Sequence, residues 1–239
     1  SLDGKIQQYI FCSTASVYQR SKIFPVKTDF PIWEEKKPKA PGYSDYGYNK
    51  ALCEKFLLSQ KNFASTILRP MYIYGPYNRI YREQYFFERI FHDFPIFIPG
   101  KHEIITQFGH VDDLAAAFMS CLGNEKTKNK SYDISGAEFV TLSGLTETIA
   151  LSMGKEVKIV KYDADILKDL EFDYKNPFFP FDWTENLFAD ITSAKEELNW
   201  SPKYSLLTGM KQAFEWHLKE NGEIAKPNLK WDDFVQEKI

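Results

Sequence analysis

Short apolar runs and longer stretches with helical spacing follow one another along the chain. Apolar runs that end at polar or turn residues predict buried strands at 8–12, 65–68, 131–134 and 157–162, with short strands around a Gly100 turn in 95–110. Apolar residues three and four positions apart predict helices at 44–61, 83–93, 111–122, 143–153 (capped by Ser143) and 206–220. Strands that alternate with helices predict an α/β fold with a mostly parallel sheet.

The composition is typical of a folded protein with a hydrophobic core. The 239 residues are 44% hydrophobic and 26% charged, which is enough for one sizeable core or two small ones. A net charge of -3 argues against a dedicated polyanion-binding protein, because such proteins usually carry a basic excess. Cys12, Cys53 and Cys121 are too widely spaced for a disulfide framework or a CxxC metal site. With no signal peptide and no apolar run of membrane-spanning length, the sequence predicts a cytoplasmic protein.

Tyr46 and Lys50, on the helix predicted from residue 44, form a pair with useful chemistry. Residues four positions apart lie about 40° from each other around a helix. A tyrosine loses its proton only near about pH 10, but an ammonium about 5 Å away contributes roughly 3 kcal/mol and lowers that pKa by about two units. Such a phenol can exchange a proton with a substrate hydroxyl, and Thr14 is placed to hold the substrate oxygen. The spacing alone leaves open a chance pair on the helix surface.

The same helix carries two apolar stripes. One continues from Lys50 to Cys53 and Leu57, and the other consists of Leu52 and Phe56. A helix with two apolar stripes is expected to be buried on two sides, by its own sheet and by a partner subunit. We therefore predict a homodimer that forms through the helix bearing Tyr46 and Lys50, and we expect Cys53 to be a small buried side chain.

Five motifs, in this order, resemble those of the extended short-chain dehydrogenases/reductases, the NAD-dependent epimerase/dehydratase family. They are FCSTASVY at 11–18, the YxxxK pair Tyr46 and Lys50, LRPMYIYGP at 68–76, HVDDLA at 110–115 and LNWSP at 198–202. The resemblance implies the C-terminal part of a Rossmann-like doubly wound parallel sheet and a smaller α/β substrate-binding domain. It assigns 1–75 and 104–135 to the dinucleotide-binding domain and 76–103 and 136–239 to the substrate-binding domain.

The resemblance also implies roles for individual residues. Tyr46 would be the catalytic acid/base, Lys50 would lower its pKa and bind the nicotinamide ribose, and Thr14 would hold the substrate oxygen. Cofactor contacts would come from Ser13, Tyr46, Lys50, Pro70 and Ile73, and substrate contacts from Thr14, Ala15, Met71 and Tyr72. The implied reaction is hydride transfer between bound NAD or NADP and a hydroxyl or carbonyl group of a sugar-like substrate. We expect no metal site.

The sequence departs from the family pattern in two places. Members that act on sugar nucleotides carry Asn at the position of Tyr72 and Arg-Asp at Thr106 and Gln107, where they hold the diphosphate, so a nucleotide-sugar substrate is in doubt. In addition, none of the 12 glycines forms the turn that receives the cofactor pyrophosphate at a helix N-terminus. Because the chain also begins at Ser1 rather than Met, we expect an N-terminally truncated piece that binds NAD(P) weakly or not at all.

A narrower similarity leaves a second function open. QFGH at 107–110, GNEK at 123–126 and FFPF at 178–181 are similar to the chloroplast stem-loop binding proteins and their bacterial relatives. This similarity implies an RNA- or ribosome-associated binding protein with little or no redox activity. The negative net charge disfavours RNA as a partner, and the retained Tyr46 and Lys50 favour a working redox site.

The aromatic-rich segment 77–91 allows two interpretations. Its aromatic side chains interleave with three arginines, a pattern that can stack bases and hold phosphates. Two glutamates reduce its net charge to +1, which favours a helix that covers the substrate. The four histidines lack metal-ligand spacing, and His110 is expected to serve structurally at a helix start.

Overall fold

A computed structural model describes residues 4–38, 40, 43–168, 170 and 178–239. The start at Ser1, on which the expectation of a truncated chain partly rests, lies outside these residues. The strands are β1 (Gln8–Cys12), β2 (Ala64–Pro70), β3 (Tyr72–Tyr74), β4 (Ile96–Pro99), β5 (Ile105–His110), β6 (Lys130–Ile134), β7 (Phe139–Thr141) and β8 (Ile159–Tyr162). The helices are α1 (Asp45–Leu58), α2 (Glu83–Phe91), α3 (Val111–Cys121), α4 (Leu142–Ser152), α5 (Thr192–Leu198), α6 (Leu206–Asn221) and α7 (Lys230–Gln236).

The chain divides into two compact units, which alternate along the sequence. The first contains the described residues of Ser1–Ile73, Gln107–Ala137 and Leu187–Lys203. The second contains those of Tyr74–Thr106, Glu138–Asn186 and Tyr204–Ile239.

A parallel sheet of β1, β2 and β6, in that order, forms the centre of the first unit. Leu68 of the middle strand is aligned with Cys12 on one side and with Tyr132 on the other. This arrangement confirms the predicted α/β fold with a parallel sheet. Because the strands are parallel, their carboxyl ends share one edge, where Ser13 follows β1 and Ser135 follows β6. In open α/β sheets that edge is where ligands bind.

The segment Leu187–Lys203 lies in the first unit, although the predicted division placed it in the substrate-binding domain. The reason is hydrophobic burial, because Leu198 and Trp200 pack in the same buried cluster as Leu114 of α3. The Trp200 indole N–H also donates to the backbone oxygen of Asp113 at 2.8 Å. The LNWSP motif therefore packs on α3 within the first unit, a contact between residues far apart in sequence.

Helix α2, in the second unit, is buried along almost its whole length. Phe86 and Phe87 are fully buried, and Arg89 is buried as an ion pair with Asp232 of α7 at 2.7 Å. Arg89 is thus committed to a protein contact and is not available to hold a phosphate, which argues against the base-stacking interpretation at this residue. A helix that covers the substrate stays a prediction for residues 83–91, which form part of the core of their unit.

Aromatic packing in the second unit accounts for part of the chain's aromatic content. Phe86, Phe179 and Phe181 contact one another with ring centroids 5.9 to 6.5 Å apart. Phe178 contacts Trp183 and Trp231 edge to face at 5.4 and 5.7 Å. Such edge-to-face pairs stabilise a core beyond the burial of their area alone.

Two helix starts test the predicted capping residues. His110 precedes α3 and its Nδ1 accepts the backbone N–H of Asp112 at 3.2 Å, which confirms its structural role. Helix α4, by contrast, is capped by Thr141, whose Oγ1 accepts the N–H of Gly144 at 3.0 Å. The prediction of Ser143 as the cap was wrong, because Ser143 already lies inside the helix and donates to Glu103.

In the part of the chain that the structure describes, no helix is both long and apolar enough to cross a membrane.

Candidate active site

The carboxyl end of β1 leads directly into a tight turn that carries Thr14. This residue caps a short 3-10 helix, Ala15–Val17, and its Oγ1 accepts the backbone N–H of Ser16 at 3.2 Å. Its hydroxyl also lies 3.3 Å from the Ser16 hydroxyl. The turn therefore fixes the Thr14 side chain at the edge of the sheet where ligands bind in this class of fold.

Helix α1 brings the predicted Tyr46 and Lys50 to this edge. The helix starts at a good N-cap, since the Ser44 hydroxyl accepts the N–H of Gly47 at 3.0 Å. The Lys50 ammonium donates to the backbone oxygen of Cys12 at 2.7 Å and lies 5.8 Å from the centre of the Tyr46 ring. The structure thus brings a phenol, an ammonium and the strand end before Thr14 into one neighbourhood.

Close backbone packing holds α1 against the Thr14 turn. A Cβ added at Gly47 would lie only 2.1 Å from the backbone oxygen of Ser16 and 3.1 Å from the Ser44 hydroxyl. No side chain fits at such a distance, so glycine is the residue that permits this approach. Gly47 lies between Tyr46 and Lys50 on the helix. Its close approach to the Ser16 backbone therefore determines how far both residues lie from the Thr14 turn.

The other predicted cofactor residues lie at or just beyond the strand ends. Pro70 is the last residue of β2 and is buried, and Ile73 packs against the hydrophobic cluster around Leu68. The Ser13 hydroxyl, however, donates to Glu54 of α1. The Ser13 backbone N–H also donates to the backbone oxygen of Leu68 at 2.7 Å. Both groups are therefore committed to protein contacts, and a cofactor contact by Ser13 is left to its backbone oxygen.

The predicted substrate residues differ in how they are placed. Ala15 and Met71 are 3% and 8% exposed and belong to one buried hydrophobic cluster, so their side chains serve the core. Tyr72 is half-buried and stacks on Phe108 with ring centres 5.5 Å apart. Of the predicted substrate side chains, Thr14 and Tyr72 are thus the ones that the hydrophobic cluster does not take up.

The family-departing residue Gln107 has a structural role. Its amide donates to the backbone oxygen of Gly136 at 2.8 Å and accepts the N–H of Ala189 at 3.0 Å. The side chain is fully buried, and both its amide nitrogen and its amide oxygen form hydrogen bonds. It therefore connects β5 to the segments that contain Gly136 and Ala189, both in the first unit. Because these hydrogen bonds occupy it, the Gln107 amide is not positioned to bind a substrate phosphate.

A buried polar network beneath the site was missed by the sequence analysis. Arg69 forms a two-pronged ion pair with Glu54 of α1, with Nη2–Oε2 and Nε–Oε1 distances of 2.7 and 3.1 Å. Arg69 also donates to the Tyr18 hydroxyl at 2.8 Å, and that hydroxyl donates to Asp133 of β6 at 2.8 Å. A signal was available, because Glu54 and Arg69 interrupt otherwise apolar faces of a helix and a buried strand.

Burial sets the ionisation of this network. Burial raises the pKa of Asp133 to about 7, although the Tyr18 hydroxyl and the Arg69 charge oppose the rise. Burial and the Asp133 charge together raise the pKa of the Tyr18 phenol, so that it stays a proton donor. At Cys12 partial burial raises the thiol pKa, and the Lys50 ammonium, which lies 2.7 Å from the Cys12 backbone oxygen, lowers it.

Among the described residues, no group of three or more His, Cys, Asp or Glu side chains is arranged to hold a metal ion. The predicted burial of Cys53 is wrong, since its side chain is exposed on α1. The helix turns Ala51 and Glu54 toward the core, and Cys53 lies on a different face.

Comparison with known proteins places these features in a family. The model of the NAD-dependent epimerase/dehydratase family matches residues 2–135. The chain is 34% identical to the chloroplast stem-loop binding protein of 41 kDa b from Arabidopsis thaliana, across 98% of the chain and 58% of that protein. It is 26% identical to a UDP-glucuronate 4-epimerase of Thermodesulfobacterium geofontis, across 94% of the chain and 63% of that protein.

Solved structures share the fold. A UDP-glucuronic acid 4-epimerase from Bacillus cereus, in complex with NAD, matches with a TM-score of 0.69 and 21% identity over 92% of this chain and 64% of that chain. A UDP-glucose 4-epimerase from Thermotoga maritima, with UDP-glucose, matches with a TM-score of 0.68 and 24% identity over 90% of this chain and 65% of that chain. The chain thus spans less than two thirds of the length of each of these relatives.

Proposed function

Because the chain belongs to the NAD-dependent epimerase/dehydratase family, we propose that it carries the catalytic residues of an NAD(P)-dependent oxidoreductase of that type. The substrate class is a sugar-like molecule that reacts at a hydroxyl or carbonyl group. One observation carries the proposal: Lys50 of α1 binds the backbone of Cys12, one residue before the Ser13–Thr14 turn and one helix turn after Tyr46. On this proposal the Tyr46 phenol, the Lys50 cation and the Thr14 hydroxyl act together at this edge of the parallel sheet.

The three residues take complementary roles in this proposal. Tyr46 exchanges a proton with the substrate hydroxyl, and Lys50 favours the ionised phenol through its positive charge. Thr14 holds the substrate oxygen with its hydroxyl, which the 3-10 helix cap keeps at the strand end. Ala15 and Met71 support this arrangement from the buried cluster, and Tyr72 offers an aromatic surface to the substrate.

The residue types at the strand ends fit one end of the cofactor. The nicotinamide end would be held by residues at or near the ends of β1 and β2 and on α1, namely Ser13, Tyr46, Lys50, Pro70 and Ile73. Bound NAD(P) would supply the redox step by accepting a hydride from the substrate and returning it. The sequence contains no glycine-rich turn for the pyrophosphate, so we propose that these 239 residues alone bind the cofactor weakly or not at all.

Replacement of one phenol tests the catalytic proposal. In the full-length protein, Tyr46→Phe is expected to lower NAD-dependent turnover by about 100-fold or more, because general acid/base catalysis contributes that much. Free sugars are assayed beside UDP-glucuronic acid and UDP-glucose, because Gln107 is not left to hold a diphosphate. Tyr48→Phe is the matched control, since Tyr48 packs in the hydrophobic cluster near Tyr43 and is expected to leave turnover unchanged. Wild-type turnover in the Tyr46→Phe variant would contradict the assignment.

Cofactor binding is tested separately on these 239 residues. In a fluorescence titration with NADH, we expect no saturation at micromolar concentrations. A micromolar dissociation constant would show that the cofactor is held without a glycine-rich turn.

A second candidate function is supported by the 34% identity to a chloroplast stem-loop binding protein. On this alternative the fold is retained as an RNA- or ribosome-associated binding protein with little redox activity. A stem-loop RNA affinity that survives Tyr46→Phe and falls steeply with salt would favour it, because phosphate contacts release counterions. Turnover that depends on Tyr46, without salt-sensitive RNA binding, would favour the oxidoreductase.

We further propose a homodimer that forms through α1. Leu52 and Phe56 are 41% and 64% exposed, and they follow each other along one face of this helix. A helix of one copy packed on the same helix of a second copy would cover both side chains. Analytical ultracentrifugation of Phe56→Glu should show dissociation to monomers, whereas an unchanged sedimentation coefficient would contradict this interface. The three free thiols agree with a reducing, cytoplasmic compartment for such a dimer.

A further inference from the structure

We propose that Glu54 and Arg69 are positioning residues of the active site, which lock α1 onto the end of β1 so that Lys50 stays on the Cys12 backbone. This inference rests on the proposed function for its biological meaning. The contacts that carry it lie within the first unit and hold without any bound ligand.

Helix α1 contacts two consecutive residues at the end of β1 from two consecutive helix turns. Lys50 donates to the backbone oxygen of Cys12 at 2.7 Å, and Glu54, one turn later, accepts the hydroxyl of Ser13. Two attachments one turn apart fix the position of a helix along its axis and the direction of that axis, whereas a single attachment leaves the helix free to pivot about that point. The next residue along the strand end is Thr14, so these contacts lie beside the reacting groups.

The buried Glu54 carboxylate needs a partner for its charge to remain at this position. The carboxylate is 1% exposed, and a buried carboxylate is costly unless it is paired and hydrogen-bonded. Arg69, which is 4% exposed, meets it with two nearly parallel bonds of 2.7 and 3.1 Å. Such two-pronged pairs add directional specificity to the attraction, so the position of the Glu54 carboxylate is set by β2.

Arg69 also donates hydrogen bonds to two groups other than Glu54. Its Nη1 donates to the Tyr18 hydroxyl at 2.8 Å and to the backbone oxygen of Thr28 at 3.0 Å. Tyr18 follows the 3-10 helix that Thr14 caps, and its hydroxyl continues to Asp133 on β6. The network therefore ties both ends of the Thr14 turn to α1 and to the sheet, which is the arrangement that a positioned active site requires.

A native thiol reports on this arrangement without cofactor or substrate. Cys12 is exposed, and the Lys50 ammonium lowers its thiol pKa against the effect of partial burial. The thiolate is the species that reacts with iodoacetamide, so the alkylation rate at a fixed pH follows the distance of that ammonium. A Cys53→Ser background removes the other exposed thiol, and Cys121 is buried.

The experiment measures the alkylation rate of Cys12 against pH by mass spectrometry. We expect Lys50→Met to slow alkylation at pH 7.5 by about threefold to tenfold, since one pKa unit changes the thiolate fraction about tenfold. Glu54→Gln, which places amide hydrogens opposite the Arg69 donors, is expected to move the pH midpoint toward that of Lys50→Met. Lys55→Gln is the matched control, because Lys55 is an exposed neighbour on the same helix and should leave the profile unchanged.

Each outcome decides the proposal. A folded Glu54→Gln protein with the wild-type rate and midpoint would overturn it, as would a Lys50→Met protein in which Cys12 reacts as in the wild type. Where Glu54→Gln fails to fold by circular dichroism, Ser13→Ala replaces it, because this variant removes only the hydroxyl link and is expected to give a smaller shift in the same direction. An unchanged profile in Ser13→Ala would then refute the positioning role. Loss of the catalytic proposal through an active Tyr46→Phe enzyme would leave these thiol measurements unaffected.

Discussion

The free energy of unfolding of Asp133→Asn, measured relative to that of the wild type, is expected to increase as the pH rises. Asp133 is fully buried on β6, and burial raises its pKa from 3.8 to about 7. A group whose pKa is higher in the folded than in the unfolded state contributes stability that is complete below the unfolded pKa and is lost as the pH rises through the folded pKa. For Asp133 this loss falls between pH 3.8 and about pH 7.

The size of the effect follows from the same two values. A difference of about three pKa units corresponds to about 4 kcal/mol over the whole range, at about 1.4 kcal/mol per unit. Between pH 5 and pH 8 about two of these units are lost, so the wild type should lose about 3 kcal/mol through this carboxyl. The asparagine variant keeps an oxygen that accepts from the Tyr18 hydroxyl but has no proton to release, so its stability should lack this component.

Urea unfolding followed by far-UV circular dichroism at several pH values between 5 and 8 measures the difference. Subtraction of the wild-type from the variant free energy of unfolding removes the groups that titrate in both proteins. Asp163→Asn is the control, because the hydrogen bond from Lys101 lowers the pKa of Asp163, and the variant should differ from the wild type by a constant across this range. Parallel curves for Asp133→Asn and the wild type would refute the reasoning about Asp133.

Three further predictions follow from individual contacts. Gly47→Ala should destabilise the protein by about 2–3 kcal/mol in urea unfolding, because its methyl group would overlap the Ser16 backbone oxygen; a wild-type midpoint would contradict this close packing. Asp232→Ala should cost about 3 kcal/mol or more by the same assay, because it leaves the Arg89 guanidinium buried without its carboxylate, and Arg89→Met combined with Asp232→Leu should cost less than this single change. Cys121 should resist iodoacetamide in the native protein, since burial raises its pKa to about 11, and rapid labelling by mass spectrometry would show an open structure.

Much of the fold could be predicted because it depends on local pattern. Apolar runs in β1 and β2 and helical spacing in α1 reflect how strands and helices bury one face, and this is written in neighbouring residues. The start of α3 was also readable, since His110 and the two aspartates after it satisfy and complement a helix N-terminus locally. The capping residue of α4 was less readable, because Thr141 and Ser143 have similar chemistry and only the backbone angles select one.

The candidate site was predictable only in part. Tyr46 and Lys50 share a helix, so their proximity follows from a spacing of four residues. The partner of Lys50 on β1 does not follow from spacing, because residues 12 and 50 meet only after β1 and β2 pair and α1 packs across them. For the same reason the family resemblance implied a cofactor contact for the Ser13 side chain, whereas its hydroxyl donates to Glu54.

The sequence by itself predicted the parallel α/β class and most of the strands and helices, although not β3, β7, α5 or α7, and it offered Thr14, Tyr46 and Lys50 as candidates for reactive chemistry. Tertiary structure alone decided that α2 is a core helix, that Leu187–Lys203 packs with the first unit, and that Glu54, Arg69, Tyr18 and Asp133 form one network. The physical reason is that a buried charge takes whichever partner the packing brings within about 3 Å. Those partners lie up to 115 residues apart here, so no local pattern records them.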